Sequence, residues 1–214
     1  MITRFICLAN SFKEGGKCLA GIELDTNNIP VLLAGRPKWI RPVCETEHGE
    51  IPNEITESFQ NLDIIEINII ELIPERHQSE NVIFDEGSLR VVGNFGRDGL
   101  AMLCDNPNVI FGNRGKAVSL ENIRSFNHSL ILLNLTHFEV TKKIYEDRPD
   151  KPQLRLQFTY HGNSYDFPIT DPNFLKRYLE NKSLLANVNQ VYVTLSLGIE
   201  WKDWYYKLAA CIIQ

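Results

Sequence analysis

The feature that most constrains the fold is a run of alternating apolar and polar residues in the last third of the chain, residues 129–214. Residues 153–160 place Leu, Leu, Phe and Tyr at every second position, and residues 165–169 continue the same period. The segment His161-Gly162-Asn163 between them has the composition of a tight turn. Because a period of two is typical of a half-buried strand, these segments predict a β-hairpin.

The flanking segments predict three further strands and a helix. Residues 129–142 form a long first strand whose apolar positions change from odd to even numbers part-way, which indicates a bulge or sharp bend. Asp171-Pro172 has the composition of a helix start, and residues 191–197 and 205–213 complete the strands. The order β-β-β-α-β-β is that of the oligonucleotide/oligosaccharide-binding (OB) fold, so we expect a closed five-stranded barrel over residues 129–214.

The first part of the chain repeats this outline less clearly. Strands are predicted over residues 2–8, 17–24, 38–43 and 62–73, with a short helix over 53–60. The fifth strand is either 82–84 or 109–112, and periodicity does not choose between them. The predicted fold class is therefore mainly β, with two OB-like five-stranded barrels in tandem and short helices. The predicted domains are an N-terminal barrel (1–75), a structured connector packed between the barrels (76–128) and a C-terminal barrel (129–214).

Composition excludes several other classes. The chain is 43% hydrophobic and 23% charged, as in ordinary globular proteins, and no apolar run approaches the roughly 20 residues of a membrane helix. The first residues lack the pattern of a signal peptide, so we expect a cytoplasmic protein without membrane association. Five widely spaced cysteines with no CxxC pair disfavour zinc ribbons and disulfide frameworks.

Charge is unevenly distributed along the chain. The formal net charge is −5, and residues 42–110 contain 14 acidic against three basic residues. The segments before and after are each net basic by three charges. Because phosphate binding depends on clustered Lys and Arg, the acidic total does not favour broad nucleic-acid binding. Local basic surfaces at the two ends of the chain remain compatible with it.

Six strings in the chain resemble one known family. They are CLANSFKEGGKCLAG (7–21), WIRPV (39–43), LDIIEI (62–67), HQSEN (77–81), LSLGIEW (195–201) and YYKLAACII (205–213). Together they resemble the dual OB-containing domain proteins of bacteria. The resemblance implies two OB barrels and nucleic-acid recognition, as a sensing or accessory module beside effectors of bacterial defence. It carries over no catalytic residue, and its most recognisable positions form only a candidate site: Asn10, Ser11, Lys13, Gly15, Gly16, Trp39, Arg41, His77, Gln78, Glu80 and Asn81.

Two groups of candidate ligand contacts lie in the first module. The loop 11–17 contains Lys13 and Lys17; it lacks the glycine and Ser/Thr spacing of a P-loop, but its lysines could neutralise phosphates beside an OB binding face. A solvated hairpin loop is the alternative. Trp39 and Arg41 are two apart on a predicted strand, so they share a face and could offer a stacking plane beside a guanidinium. The alternative is that Trp39 is a core residue and Arg41 caps an edge.

Residues 77–81 concentrate hydrogen-bonding side chains. His77 beside Glu80 could serve acid-base chemistry, but a second metal ligand at suitable spacing is missing, so no metal is predicted. We expect Gln78 and Asn81 to tie backbone groups together where the barrels meet, with ligand contact as the second interpretation.

In the second module, two predicted loops border the OB ligand face. They are 141–152, with Lys142, Lys143 and Tyr145, and 198–203, with Trp201. Cations interleaved with aromatics suit single strands, although neighbouring acidic residues dilute the charge, and a solvated rim is the alternative.

The sequence thus supports three functional hypotheses in descending order. The first is a module that binds single-stranded or structured DNA or RNA. The second is a protein-interaction adaptor of an effector complex encoded nearby. The third, an enzyme acting through residues 77–81, lacks any recognisable catalytic motif, and no cofactor is predicted.

Overall fold

The computed structural model describes residues 1–75 and 77–214, with only the backbone of residue 148. The elements of the first half are β1 (Ile2–Lys13), β2 (Gly16–Leu24), β3 (Leu32–Leu33), β4 (Arg36–Pro37), β5 (Trp39–Val43), α1 (Asn53–Thr56), β6 (Asp63–Leu72), β7 (Asn81–Phe84) and β8 (Arg90–Asn94). Three 3-10 helices follow β7 and β8, at Glu86–Ser88, Arg97–Leu103 and Ile110–Gly112.

Five strands of the first half close into a barrel. The order is β1-β2-β5-β7-β6, and β6 pairs back onto β1 in antiparallel register. The β5–β7 pair is parallel, whereas the other ladders are antiparallel. This is the strand order of an OB barrel, with α1 between the third and fourth strands. Of the two candidates for the fifth strand, residues 82–84 are confirmed as β7, and residues 110–112 form a 3-10 helix.

The elements of the second half are β9 (Ala117–Ser119), α2 (Leu120–Ile123), β10 (Leu130–Leu135), β11 (Phe138–Tyr145), β12 (Arg148–Tyr160), β13 (Asn163–Pro168), α3 (Pro172–Glu180), β14 (Val191–Trp201) and β15 (Trp204–Ile213). They form a sheet β10-β14-β15-β9 and a sheet β11-β12-β13. The predicted helix start is confirmed, because Asp171 accepts a hydrogen bond from the Phe174 N–H at 3.0 Å as the N-cap of α3.

The second module differs from the fully closed barrel expected from its sequence. The predicted long first strand is divided into β10 and β11, which lie in different sheets, and the division falls where the apolar phase changes. The two sheets meet on the other side through one parallel bridge, Ile169 to Ala209. Among the described residues this bridge does not extend into a ladder, because the chain turns at Thr170 into the cap of α3. The result is a curled half-barrel beside the closed first barrel.

Strand pairing also divides the predicted connector between the two modules. β7 and β8 pair with β6 of the first barrel, whereas β9 pairs with β15 of the second.

The expected loop over 141–152 is instead a long hairpin, in which β11 and β12 continue almost to the turn. Among the described residues, no helix has the length and apolar character needed to cross a membrane.

An apolar core between the modules joins them. Ile6 and Leu8 on the outer face of β1 pack with Leu132 of β10, Tyr192 of β14 and Cys211 of β15. The opposite face of each strand fills the interior of its own module, which is why β1 is buried almost without alternation. Sheets that are apolar on both faces read as continuous hydrophobic runs. The two modules therefore pack as one body around a shared layer.

Hydrogen bonds connect the modules at the margin of this layer. The Phe12 N–H donates to the Thr170 carbonyl at 2.9 Å. Asp105 forms an ion pair with Arg36 at 2.6 Å and accepts a hydrogen bond from the Leu132 N–H at 3.1 Å. Because each partner sits on a different module, these contacts fix the relative position of the two modules.

Lys207 holds the segment before β9 against the second module. Its side chain is fully buried, and Nζ donates to the carbonyls of Ile110 and Asn113, both at 2.7 Å, and to Asn113 Oδ1 at 3.0 Å. The segment is tightly bent, since Phe111 and Gly112 have φ of 46° and 68°. The buried lysine thus replaces a strand ladder as the anchor of this segment.

Lys207 also predicts a pH dependence of stability. Burial lowers the pKa of Lys207 to about 8, from its ordinary 10.5. Between these values the unfolded chain binds the proton more tightly than the folded protein does, so the Lys207 contribution to the free energy of unfolding rises with pH. We expect the wild type to gain stability relative to Lys207→Met over this window in urea titrations. A difference that stays constant with pH would contradict this account.

Truncation in the shared layer is predicted to destabilise both modules together. Leu8 is fully buried there, so Leu8→Ala should lower the free energy of unfolding by about 2–5 kcal/mol. Urea unfolding followed by tryptophan fluorescence and by circular dichroism should show one coincident transition. Leu179→Ala on the exposed face of α3 is the matched control, with an effect within about 0.5 kcal/mol. Two separate transitions would show that the modules do not unfold as one body.

Candidate functional site

A cavity of about 510 Å³ lies at one end of the seam between the two modules. The first barrel supplies Ser11, Lys13 and Arg41, and the second module supplies Leu197 and Tyr206, among others. We call this space the seam cavity. Its two walls come from different modules, so its shape depends on the packing between them.

A rigid hairpin loop forms one side of the seam cavity. Glu14 and Gly15 join β1 to β2 and have φ of 27° and 88°, as expected for a two-residue turn whose twist matches its strands. Asn53 Nδ2 donates to the Gly15 carbonyl at 3.0 Å. A Cβ on Gly16 would lie 2.6 Å from the Ile51 carbonyl oxygen, so only glycine fits there. The loop is therefore fixed on both sides of its tip.

Arg41 lines the seam cavity and is almost fully buried, with 2% of its side chain exposed. Its Nη2 donates to Ser129 Oγ at 2.6 Å and lies 3.2 Å from Glu80 Oε1, and Ser129 Oγ donates to the same carboxylate. Among the described residues, Arg41 Nε and Glu80 Oε2 have no hydrogen-bond partner. Ser129 consequently links this ion pair of the first barrel to the start of β10. Arg41 Nε and Glu80 Oε2 remain able to form further hydrogen bonds beside the cavity.

Positive and negative groups nearly balance around Lys13, another lining residue. Burial lowers the pKa of Lys13, and neighbouring Arg41 lowers it further, whereas Glu50 and Glu75 oppose the shift. Glu14 lines the same cavity. The interior is therefore polar without a strong positive potential.

Exposed aromatic side chains border the mouth of the seam cavity. Phe12, Trp201 and Tyr206 are 55%, 57% and 39% exposed. Two of them carry a lysine over the ring face, since Lys17 Nζ lies 4.2 Å from the Phe12 centroid and Lys202 Nζ lies 4.5 Å from the Trp201 centroid. The ring centroids of Trp201 and Tyr206 are 6.0 Å apart. The mouth thus combines apolar planes with cations on both modules.

A second, smaller cavity of about 390 Å³ adjoins the first and shares Gln78 and Ile199 with it. His77 is 5% exposed and packs edge-on against Tyr205, with centroids 4.7 Å apart. The Tyr205 hydroxyl donates to Glu200 Oε2 at 3.3 Å. Within the described part of the chain, no group of three or more His, Cys, Asp or Glu side chains is arranged to hold a metal ion.

Comparison with protein families agrees with this architecture. The family model of the dual OB-containing domain matches residues 3–212. The chain belongs to the dual OB-containing domain family. The predicted resemblance is therefore confirmed. A search of curated protein sequences found no match.

The structure brings several predicted site residues of this dual OB-containing domain together. Lys13, Arg41 and Gln78 line the seam cavity. Trp201 stands beside Tyr206 of the lining, whereas Lys17 lies over the Phe12 ring and is largely buried outside the lining. Asn81 Nδ2 donates to Gln78 Oε1 at 3.1 Å and so orients that amide. His77 lies in the adjoining cavity.

Other predicted residues lie elsewhere. Trp39 is half-buried against the inter-module core, so its ring serves packing. Lys142, Lys143 and Tyr145 lie near the turn of the β11–β12 hairpin, where Lys143 Nζ stands 4.8 Å from the Tyr145 ring centroid. They do not line the seam cavity. The predicted site thus divides into residues at the seam and residues on this separate hairpin.

Sequence reasoning missed Phe12, Tyr206 and Ser129. Phe12 stands in the predicted loop 11–17 and Tyr206 near the start of a predicted strand, and their sequence positions do not indicate that both rings are exposed beside one cavity. Ser129 directly precedes an apolar strand and gives no local sign that it accepts a hydrogen bond from Arg41. The available signal was the HQSEN string, which supplies Glu80 and Gln78 to the same region.

The buried ion pair yields a stability prediction. Arg41→Leu leaves Glu80 without its buried partner, so we expect a loss of about 3–5 kcal/mol in the free energy of unfolding. Arg41→Leu combined with Glu80→Leu should recover part of this loss. The matched control is Arg90→Leu, which removes an exposed guanidinium from Glu66 while Arg4 Nε stays 2.9 Å from the same carboxylate, so its effect should be small. Equal effects of the Arg41 and Arg90 substitutions in urea unfolding would contradict the assignment.

Proposed function

We propose that this protein binds single-stranded or structured nucleic acid at the seam, as a sensing or accessory module in a bacterial defence system. The observation that carries the proposal is the mouth of the seam cavity. There the β1–β2 loop of one module and the β14–β15 hairpin of the other each present an exposed aromatic ring, Phe12 and Trp201, with a lysine over one ring face. The first is the loop between strands one and two of the first barrel, and the second is the loop between strands four and five of the second module; each is of a type that borders the ligand face of an OB fold.

Stacking supplies most of the expected affinity. A base stacked on an aromatic side chain contributes about 1–3 kcal/mol and tolerates any sequence, because every base has a π-face. Phe12 and Trp201 lie on opposite modules, so a strand that contacts both must cross the seam. The family to which the chain belongs has the fold for this role, which many OB proteins use for single strands.

Electrostatic attraction contributes less. The protein has a net charge of −5. The available cations are Lys202 beside Trp201, the largely buried Lys17 (8% exposed) beside Phe12, and Lys13 in the cavity lining. Three phosphate contacts on a single strand are the upper bound, and they give a slope no steeper than about −2 for the logarithm of affinity against the logarithm of salt concentration. Binding should therefore weaken with salt, but far less steeply than for a strongly basic protein.

Fluorescence anisotropy with labelled single-stranded DNA and RNA at two salt concentrations tests the proposal. Trp201→Ala and Phe12→Ala should each weaken binding by roughly 5- to 100-fold, because each removes a stacking plane. The double variant Lys142→Ala/Lys143→Ala, on the separate hairpin, is the control and should leave affinity unchanged. Loss of binding in the control alone would move the site to the β11–β12 hairpin, and absence of salt-dependent binding at micromolar protein would overturn the proposal.

A second candidate function, a protein-interaction adaptor for an effector encoded nearby, is favoured by strand β8. All five of its residues are exposed, including Val91 and Val92, and it lies at the end of its sheet order. Such edges recruit extended segments of other proteins. Co-purification of wild type and Val92→Pro with the products of neighbouring genes tests this role. A partner retained equally by both would not depend on the edge of β8.

A further inference from the structure

We infer that one base of the bound strand leaves the stack and inserts into the seam cavity, while the neighbouring phosphates stay at its mouth. The inference rests on the proposed function and specifies which chemical part of the nucleic acid enters the protein. Its support comes from the size, charge and lining of the cavity.

The size of the seam cavity suits a nucleobase. Its volume of about 510 Å³ falls within the range of roughly 300–1,000 Å³ typical of small-ligand pockets. The exposed rings of Phe12 and Tyr206 flank the way in, so a base can pass from stacking on the surface to insertion between the modules. Extruded bases are commonly held between apolar and aromatic side chains.

The charges of the cavity favour a neutral group over a phosphate. Arg41 is already paired with Glu80, and Lys13 is opposed by Glu14 in the lining and by Glu50 and Glu75 nearby. A phosphate would lose its hydration there without a net positive field to replace it, and burial of an uncompensated charge is costly. A neutral base avoids this cost, whereas Lys202 does not line the cavity and can contact a phosphate at the mouth.

The lining also matches the surface of a base. Leu197 and Leu208 give an apolar wall, while Ser11, Ser196 and Gln78 offer hydrogen-bonding groups around it. Arg41 adds a buried guanidinium whose Nε has no partner among the described residues. A nucleobase likewise combines apolar faces with an edge of hydrogen-bond donors and acceptors.

Alkylation of Cys18 tests the insertion directly, because this partly buried thiol lines the seam cavity. The protein is treated with N-ethylmaleimide alone, with a mixed-sequence DNA strand of about 12 nucleotides, or with an abasic strand of equal length. Modification of the Cys18 peptide is followed by mass spectrometry. Cys104 is the internal reference, since it is partly buried and lies outside the cavity; burial raises its pKa to about 12, so it reacts slowly.

At about ten times its dissociation constant, the intact strand should slow Cys18 alkylation by about tenfold, whereas the abasic strand, bound at about ten times its own dissociation constant, should leave the rate nearly unchanged. Anisotropy on the same samples records whether each strand is bound. A bound intact strand that leaves Cys18 reactive, or equal protection by both strands, would overturn base insertion while the proposed function stands. Absence of binding in the anisotropy arm would remove the proposed function, and the inference with it.

A cavity-filling variant gives an independent readout. Ser196→Leu adds volume to the cavity wall, so the intact strand should lose the contribution of the inserted base and bind roughly 5- to 100-fold more weakly than it binds wild type. Ser183→Leu, at an exposed position after α3, is the matched control and should bind as wild type does. Thermal unfolding of both variants verifies that they are folded. Wild-type affinity in folded Ser196→Leu would contradict the insertion.

Discussion

The burial of two outer sheet faces against each other is the constraint on which the rest of this structure depends. Side chains such as Leu8 and Leu132 would be exposed on a solitary barrel, but here they pack in a shared layer between the modules. The hydrophobic effect therefore holds the two modules at a fixed separation. The seam cavity exists because this layer ends before the loops do, leaving a space whose walls belong to different modules.

Polar contacts at the margin give this packing a defined register. Apolar layers tolerate sliding, whereas the ion pair of Arg41 with Glu80 and its hydrogen bond to Ser129 require one arrangement. Asp171 lies at another point of this margin. It caps α3 and accepts from the Ile212 N–H at 3.0 Å, and Asn61 of the first barrel donates to its Oδ2 at 3.5 Å. Burial raises its pKa. A buried ion pair adds little net stability but is costly to break, so the Arg41–Glu80 pair disfavours arrangements that separate its partners. That fixed position brings the loop of β1–β2 to the hairpin of β14–β15.

The sequence predicted the strands of the second module and the cap at Asp171 because alternation and capping are local signals. A period of two identifies a strand but not its partners, so the closed barrel expected for the second module is instead a curled half-barrel of two sheets. The first barrel is the one closed by continuous ladders. Its sequence pattern is fainter because β1 is buried on both faces, which masks the alternation. β7 and β9 were difficult to assign for a different reason: strands of three or four residues contain too few positions to show a period.

The candidate site shows the same division between local and distant signals. Lys13, Arg41 and Gln78 were identifiable because polar residues clustered near predicted loops. Phe12 and Tyr206 were not, since their exposure depends on where the other module ends. Lys142 and Lys143 were placed beside the site by analogy with a closed barrel, and the long β11–β12 hairpin instead carries them to its own turn.

Hydrogen–deuterium exchange with and without a single-stranded oligonucleotide tests the central claim most directly, that one ligand site spans both modules. If the strand crosses the seam, amide exchange should slow together in residues 12–16 of the first barrel and 199–206 of the second module. Protection confined to one of these segments, or to the β11–β12 hairpin, would contradict a site formed by the packing of the two modules.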